Sequence, residues 1–211
     1  MIYFITSNKG KFEEAKRIVP ELEMLEIDLP EEQEVDQQKI IERKLGMVAD
    51  YICTSTARKK LARQECLSGT LTPLGNGPQD THGSQIQFIV EDTGFYIDCL
   101  PGLPGPLIKW FLKTIGRKGI YEICKKFDNF KAKNISMIGY RSEKGEIKFF
   151  KGETSGAVVM ERGESGFGWD PIFVPDGDER TYAEMSTGEK NEVSMRRKAF
   201  EELKEYLGSR S

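Results

Sequence analysis

Histidine and cysteine are scarce in this chain. His82 is the only histidine among 211 residues, and Cys53, Cys66, Cys99 and Cys124 stand far apart without a C-x-x-C pair. A zinc site would need closer pairs of these residue types, and a disulfide-stabilised domain would need a denser set of cysteines. We therefore expect reduced thiols in an intracellular protein, and a mechanism that does not depend on a histidine base.

An excess of positive charge is missing as well. The chain carries 31 basic and 34 acidic residues, for a net charge of −3. Proteins that bind duplex nucleic acid usually take their affinity from a basic surface, so the composition argues against that class. No apolar run approaches the ~18 residues that cross a bilayer, and residues 1–8 lack the features of a signal peptide. We expect a cytoplasmic protein with neither a nucleic-acid partner nor a membrane.

Aromatic residues are plentiful. The 12 Phe, 7 Tyr and 2 Trp exclude disorder over the whole length, and 211 residues can bury one sizeable core. We expect a single domain over 1–211. Helices that alternate with strands, together with one antiparallel meander, predict a mixed α/β fold. Strands are predicted at 2–6, 22–29, 87–90, 134–142, 146–151 and 154–161, and helices before Pro20, at 31–52, at 106–127 and up to Gly208.

One stretch does not fit this alternation. Residues 68–85 crowd Gly, Pro, Ser and Thr together with little periodicity, which is typical of an exposed loop. We expect an atypical loop or insertion at about 53–86.

A strand-to-helix turn near the N-terminus is the first candidate site. The segment Thr6-Ser7-Asn8-Lys9-Gly10-Lys11 would present backbone N–H groups and the positive end of a helix dipole, and Lys11 would add a point charge. Such a turn can bind an anion. The alternative is an ordinary capped turn with solvated lysines.

A pair of acids is the second. Glu91-Asp92-Thr93-Gly94 follows the apolar strand at 87–90, and carboxylates held there suit Mg²⁺ bound to a polyphosphate. Glu31 and Glu34 follow another predicted strand and could add a ligand. A capped turn with solvated acids is the alternative.

Two further segments lie near the C-terminus. In Gly166-Phe167-Gly168-Trp169-Asp170-Pro171, the glycines permit close approach of a flat ligand to the aromatic rings; the alternative is a loop that plugs the core. In 189–196, a helix beginning near Ser194 would present N–H donors beside Lys190 and Arg196. The alternative there is a capped helix start, with Ser186 and Glu189 in a capping box.

Together these segments resemble the inosine triphosphate pyrophosphatase family, over nearly the whole chain except about 53–86. The resemblance rests on 6–11, 91–94, 102–105, 166–171, 181–185 and 189–196, and the stretch 103–112 is similar to the eukaryotic branch. It implies a two-lobed mixed sheet with flanking helices and a central cleft, as in the Maf-like fold, and a homodimer. It also implies hydrolysis of inosine, deoxyinosine and xanthosine triphosphates to the monophosphate and pyrophosphate. The implied cofactor is Mg²⁺, with Mn²⁺ as a possible substitute.

The resemblance also implies a role for each matching residue. Glu31 and Asp92 would serve the metal and the attacking water, and with Lys11 they form the implied catalytic set. The implied substrate contacts are Thr6, Asn8, Lys11 and Lys109 at the phosphates, Phe167 and Trp169 at the base, and Asp170, Lys190, Ser194 and Arg196 at the base and nearby groups.

This chain departs from the family pattern in one motif and leaves one position open. The family has Ser-His-Arg at the last helix, whereas this chain has Ser194-Met195-Arg196, and methionine cannot donate a hydrogen bond to a 6-keto oxygen. A family lysine on the helix after Glu31 corresponds to either Arg43 or Lys44. Two other functions stay open: a Maf-type pyrophosphatase for other modified nucleotides, or a nucleotide-binding protein without turnover.

Overall fold

The computed structural model describes residues 1–53, 86–164 and 168–209. The insertion predicted at about 53–86, with its Gly- and Pro-rich stretch, therefore lies almost entirely outside the described residues. Within the described ranges, no helix is both long and apolar enough to cross a membrane.

A seven-stranded mixed sheet organises the described residues. Its order is β2-β1-β3-β5-β6-β7, with β4 paired to β3 off this path. The two pairs that β1 makes, with β2 and β3, are parallel, and the remaining pairs are antiparallel. The strands are β1 (Ile2–Ile5), β2 (Leu22–Leu25), β3 (Gln87–Ile97), β4 (Pro104–Gly105), β5 (Lys131–Arg141), β6 (Ile147–Val158) and β7 (Phe173–Pro175).

Six α-helices flank the sheet in the described part of the chain. Side chains cap the first and the last of them, since Asn8 accepts from the backbone N–H of Lys11 at the start of the first and Ser194 accepts from that of Arg197 at the start of the last. The helices are α1 (Lys9–Ile18), α2 (Gln37–Cys53), α3 (Ile108–Thr114), α4 (Gly116–Lys126), α5 (Thr187–Val193) and α6 (Met195–Gly208). Short 3₁₀ turns cover Asp170–Ile172 and Tyr182–Glu184.

Three apolar clusters form the core, and they divide the sheet. Alternate residues of β1 point to opposite faces, so that Phe4 packs with α1 and α6 whereas Tyr3 packs with α2. The third cluster joins the far end of β3, at Phe95 and Ile97, to α3 and α4. The segment Glu91–Gly94 lies in the middle of β3, just before the end that carries Phe95 and Ile97. This division agrees with the two-lobed mixed α/β fold that the resemblance implies.

The structure corrects several predicted boundaries. β2 ends at Leu25 rather than residue 29, and α2 begins at Gln37 rather than residue 31. The separate strand predicted at 154–161 is wrong, because β6 runs unbroken from Ile147 to Val158 and pairs with β5 along most of its length. The acids of 91–94 do not follow a strand but lie inside β3, which pairs with β5 through Thr93 and Gly94.

Candidate functional site

Glu91 is a buried carboxylate held by two hydrogen bonds and an ion pair. Its side chain is 1% exposed. Ser136 Oγ on β5 donates to Oε1 at 2.7 Å, Arg196 Nε donates to the same oxygen at 2.8 Å, and Lys11 Nζ lies 3.3 Å from Oε2. Burial opposes ionisation, but Arg196, Lys11 and Ser136 outweigh it and lower the pKa of Glu91 to about 2.

Arg196 joins this carboxylate to a second one. Its NH1 group pairs with Glu14 of α1, so that one guanidinium bridges β3, α1 and α6. Burial acts to lower the pKa of Arg196, yet the two carboxylates raise it above its usual value. The guanidinium, predicted to contact the base, is thus engaged by two acids, and Lys11, predicted to contact the phosphates, lies beside Glu91.

Asp92 has a different set of neighbours. Successive side chains of a strand point to opposite faces, and Asp92 meets α2, where Lys44 Nζ donates to its Oδ1 at 2.7 Å. The Gln37 side-chain amide donates to the backbone carbonyl of Asp92 at 2.9 Å, and Tyr96 Oη donates to Gln37 Oε1 at 3.2 Å. These contacts hold β3 against the first turns of α2, and they fix the position of the Asp92 carboxylate between the two elements.

The second oxygen of Asp92 suits a metal ligand. Oδ2 is buried, and no hydrogen-bond partner for it exists among residues 1–53, 86–164 and 168–209. Mg²⁺ commonly binds one or two carboxylates together with water and substrate phosphate oxygens, so it does not need a cage made by the protein alone. In the same ranges no group of three or more His, Cys, Asp or Glu side chains forms such a cage. The donor set therefore fits a metal that is shared with a polyphosphate.

The structure separates the two acids proposed beside Asp92. Glu31 is 57% exposed and pairs with Lys109, which brings two predicted site residues together. Glu34 instead accepts from the backbone N–H groups of Val35 and Asp36 at 2.9 and 3.3 Å, and these bonds lower its pKa. Its carboxylate thus stabilises the loop before α2.

The structure also distinguishes the two candidates on α2. Arg43 pairs with Glu32 at 3.0 Å and with Glu34 at 3.5 Å, on the loop that precedes the helix. Lys44 contacts Asp92. Of the two, Lys44 is therefore the candidate that lies beside Asp92.

The N-terminal turn serves as a helix cap. Thr6 Oγ1 accepts from the backbone N–H of Asn8 at 3.1 Å, and Asn8 Oδ1 accepts from that of Lys11 at 3.0 Å. The turn thus forms a helix cap, but Lys11 is not a solvated lysine, because it pairs with Glu91. The cap uses the oxygen of Asn8, and its side-chain amide N–H₂ remains a donor suited to phosphate.

The Trp169–Asp170 segment combines an aromatic wall with a buried charge. The Trp169 ring stacks on Phe95 with centroids 5.6 Å apart, and Asp170 accepts from Lys190 Nζ at 2.6 Å. Lys190 also lies 5.4 Å from the centre of the Tyr182 ring. The predicted partner Phe167 lies outside the described residues.

The last predicted segment contains two capping motifs. Ser186 and Glu189 form the expected capping box of α5, and the Ser194 hydroxyl caps α6 by accepting from the backbone N–H of Arg197 at 3.1 Å. Met195 is buried at the first turn of α6. Its position fits a packing role beneath the helix start.

Sequence reasoning missed Glu14 and Gln37 as parts of the site, and it included Glu91 in the pair of acids without finding the partners of its carboxylate. Their partners lie up to 182 positions away in the chain, so no local spacing predicts them. Glu91 alone carries a signal, since a charged residue in an otherwise apolar strand must find a partner when it is buried.

Comparisons with known proteins agree on one family. The model of the Ham1 family matches residues 2–206. An archaeal protein named dITP/XTP pyrophosphatase, from Methanopyrus kandleri, is 34% identical over 97% of this chain and 95% of its own length. The inosine triphosphate pyrophosphatase of Kluyveromyces lactis is 45% identical, over 56% of this chain and 62% of its own length. The Staphylococcus aureus Ham1 protein has the same fold, with a TM-score of 0.71, 21% identity and full coverage of both chains.

Proposed function

This chain belongs to the Ham1 family, and from that premise we propose that it hydrolyses non-canonical purine nucleoside triphosphates to the monophosphate and pyrophosphate. The family predicted from the sequence motifs is confirmed. Relatives with inosine, deoxyinosine or xanthosine triphosphate in their names support this substrate class. The observation that carries the proposal is Asp92, held by Lys44 and with its second carboxylate oxygen buried and unpartnered among the described residues.

The phosphate end of the substrate would meet lysines. Lys11, Lys44 and Lys109 lie beside Glu91, Asp92 and Glu31, respectively. Charge on the phosphate oxygens must be neutralised for pyrophosphate to leave, and preorganised cations do this without reorganisation during the reaction. Asn8 and the backbone N–H groups at the start of α1 would add neutral donors.

Asp92 and Glu31 would hold Mg²⁺, or Mn²⁺ in its place. When bound, the metal would supply positive charge at the phosphates and lower the pKa of a coordinated water. Asp92 would also orient the attacking water, as the resemblance implies. Water is the expected nucleophile.

The base would lie toward Trp169, Asp170 and Lys190. Asp170 is buried and fixed by Lys190, so it can act as a preorganised hydrogen-bond acceptor for the base or the ribose. Phe167, Ser194 and Arg196 remain expected contacts from the family pattern. The Ser194 hydroxyl accepts one hydrogen bond to cap α6, and it retains its O–H donor and one acceptor lone pair for a substrate.

Product analysis tests the proposal. We expect the purified protein with inosine triphosphate and Mg²⁺ to release inosine monophosphate and pyrophosphate in equal amounts. Release of inosine diphosphate and phosphate would contradict a pyrophosphatase. No turnover of any purine triphosphate would favour a protein that only binds nucleotides, and turnover confined to other modified nucleotides would favour a Maf-type enzyme.

We further propose that the protein is a homodimer, as the resemblance implies, and that it is located in the cytoplasm. Light scattering on the eluted protein would give the mass of the assembly, and a mass near 24.0 kDa would contradict the dimer.

A further inference from the structure

Four lysine–carboxylate pairs lie among the candidate site residues. Lys11 lies at Glu91, Lys44 at Asp92, Lys109 at Glu31 and Lys190 at Asp170. Two of these carboxylates, Asp92 and Glu31, are those that would hold the metal. At Asp92, an ammonium group of the protein therefore lies on one carboxylate oxygen, Oδ1, while the other oxygen, Oδ2, would bind the cation of the cofactor.

The Lys44–Asp92 pair is the more enclosed of the two. Its side chains are 17% and 18% exposed, whereas those of Lys109 and Glu31 are 63% and 57% exposed. Solvent and salt screen an exposed pair strongly and an enclosed one much less. The lysine should therefore lower the affinity for a metal mainly at Asp92 and much less at Glu31.

We propose that Lys44 acts as the internal counter-ion of Asp92 until a divalent metal displaces it, so that metal binding and triphosphate binding are coupled through this one lysine. A divalent metal at Asp92 Oδ2 would place a like charge close to the ammonium group on Oδ1, and the repulsion between the two cations would move Lys44 off that oxygen. The displaced ammonium needs a new anion, and the phosphates of the substrate provide one. This inference rests on the proposed function for the identity of that anion.

The coupling has a counter-intuitive consequence. Removing Lys44 removes a competitor for the metal and, at the same time, removes a partner for the phosphates. The two affinities should therefore change in opposite directions. A lysine that only binds phosphate would leave the affinity for metal alone unchanged.

The test is a titration of nucleotide-free protein with Mn²⁺, following the free ion by electron paramagnetic resonance. We expect Lys44→Met to bind Mn²⁺ roughly 5-fold more tightly than the wild type, the ratio that corresponds to removing about 1 kcal/mol of competing ion-pair energy. With a non-hydrolysable inosine triphosphate analogue and saturating Mn²⁺, the same variant should bind the nucleotide more weakly. Arg43→Met is the matched control, since it removes a neighbouring charge on α2 that pairs with Glu32 and Glu34, and both affinities should stay at wild-type values.

Unchanged or weaker Mn²⁺ binding by folded Lys44→Met would overturn the inference, as would an equal effect in Arg43→Met. Circular dichroism establishes that each variant is folded. Lys109→Met should change Mn²⁺ affinity less than Lys44→Met does, because its pair is exposed; a larger change would also contradict the account. Because the Mn²⁺ titration contains no nucleotide, a failure of the proposed hydrolysis would leave its result unaffected.

Discussion

Arg196 Nε on α6 donates to Glu91 Oε1 on β3 at 2.8 Å, across a separation of 105 positions in the chain. The same guanidinium reaches Glu14 on α1. One buried guanidinium therefore holds α1 and α6 against β3. The N-terminal turn precedes α1, Ser194 precedes α6, and β3 carries Asp92. The alignment of the candidate site depends on this contact.

Removing one partner of a buried ion pair costs about 3–5 kcal/mol when the other charge is left uncompensated. Because Arg196 keeps Glu14 as a partner, we expect Glu91→Gln to destabilise the protein by about 2–3 kcal/mol, below the middle of that range. Chemical denaturation would measure the free energy of unfolding. Glu23→Gln is the control, since Glu23 and its partner Lys16 are substantially exposed and such a pair contributes about 1 kcal/mol or less. Equal effects of the two substitutions would show that burial of Glu91 does not matter.

The contribution of Glu91 to stability should also depend on pH. The pKa of Glu91 falls from 4.5 to about 2 on folding, so the folded state binds the proton less tightly than the unfolded state. Its contribution to stability is therefore fully present above about pH 4.5 and is lost as the pH falls toward about 2. The difference in unfolding free energy between wild type and Glu91→Gln should be constant from pH 5 to 7 and shrink below pH 4.5. A difference that stays constant to pH 2.5 would contradict this assignment.

Gly152 on β6 permits α6 to approach the sheet. A Cβ at this position would lie 1.8 Å from the backbone oxygen of Met195 and 2.6 Å from the backbone nitrogen of Ala199. Backbone cannot yield as a flexible side chain does, so Gly152→Ala should cost at least the ~3 kcal/mol at the upper end of common overpacking effects. For a chain of this size that lowers Tm by about 6–12 °C. Gly46→Ala, in α2 with nothing within 4 Å of the added Cβ, should be neutral or stabilising.

Much of the fold could be predicted from local patterns. The apolar run of β1, the cap at Asn8 and the end of α6 at Gly208 all follow from neighbouring residues. The continuation of β3 through Thr93-Gly94 could not be predicted in this way, because that dipeptide is typical of a turn. Its strand conformation depends on pairing with Ser136 and Ile135 of β5, which is a long-range interaction.

In the candidate site, too, some residues could be predicted from local motifs, and others depend on long-range packing. Motifs along the chain identify Asp92, Lys11 and Lys190, since each lies in a segment whose residue types match one family. Local spacing does not choose between Arg43 and Lys44, which are adjacent on one helix. Their choice depends on which side of α2 faces β3, and only the packed structure shows that Lys44 reaches Asp92.

The central claim is that Asp92 is the catalytic carboxylate of a purine triphosphate pyrophosphatase. The most direct measurement is kcat/KM for inosine triphosphate, with Mg²⁺, in the wild type and in Asp92→Asn. Asp98→Asn is the control, because Asp98 lies six positions after Asp92 and its side chain is exposed. We expect a loss of roughly 100-fold or more for Asp92→Asn, as is typical when a group that handles the reacting proton is removed, and wild-type activity for Asp98→Asn. Near wild-type hydrolysis by Asp92→Asn would contradict the claim.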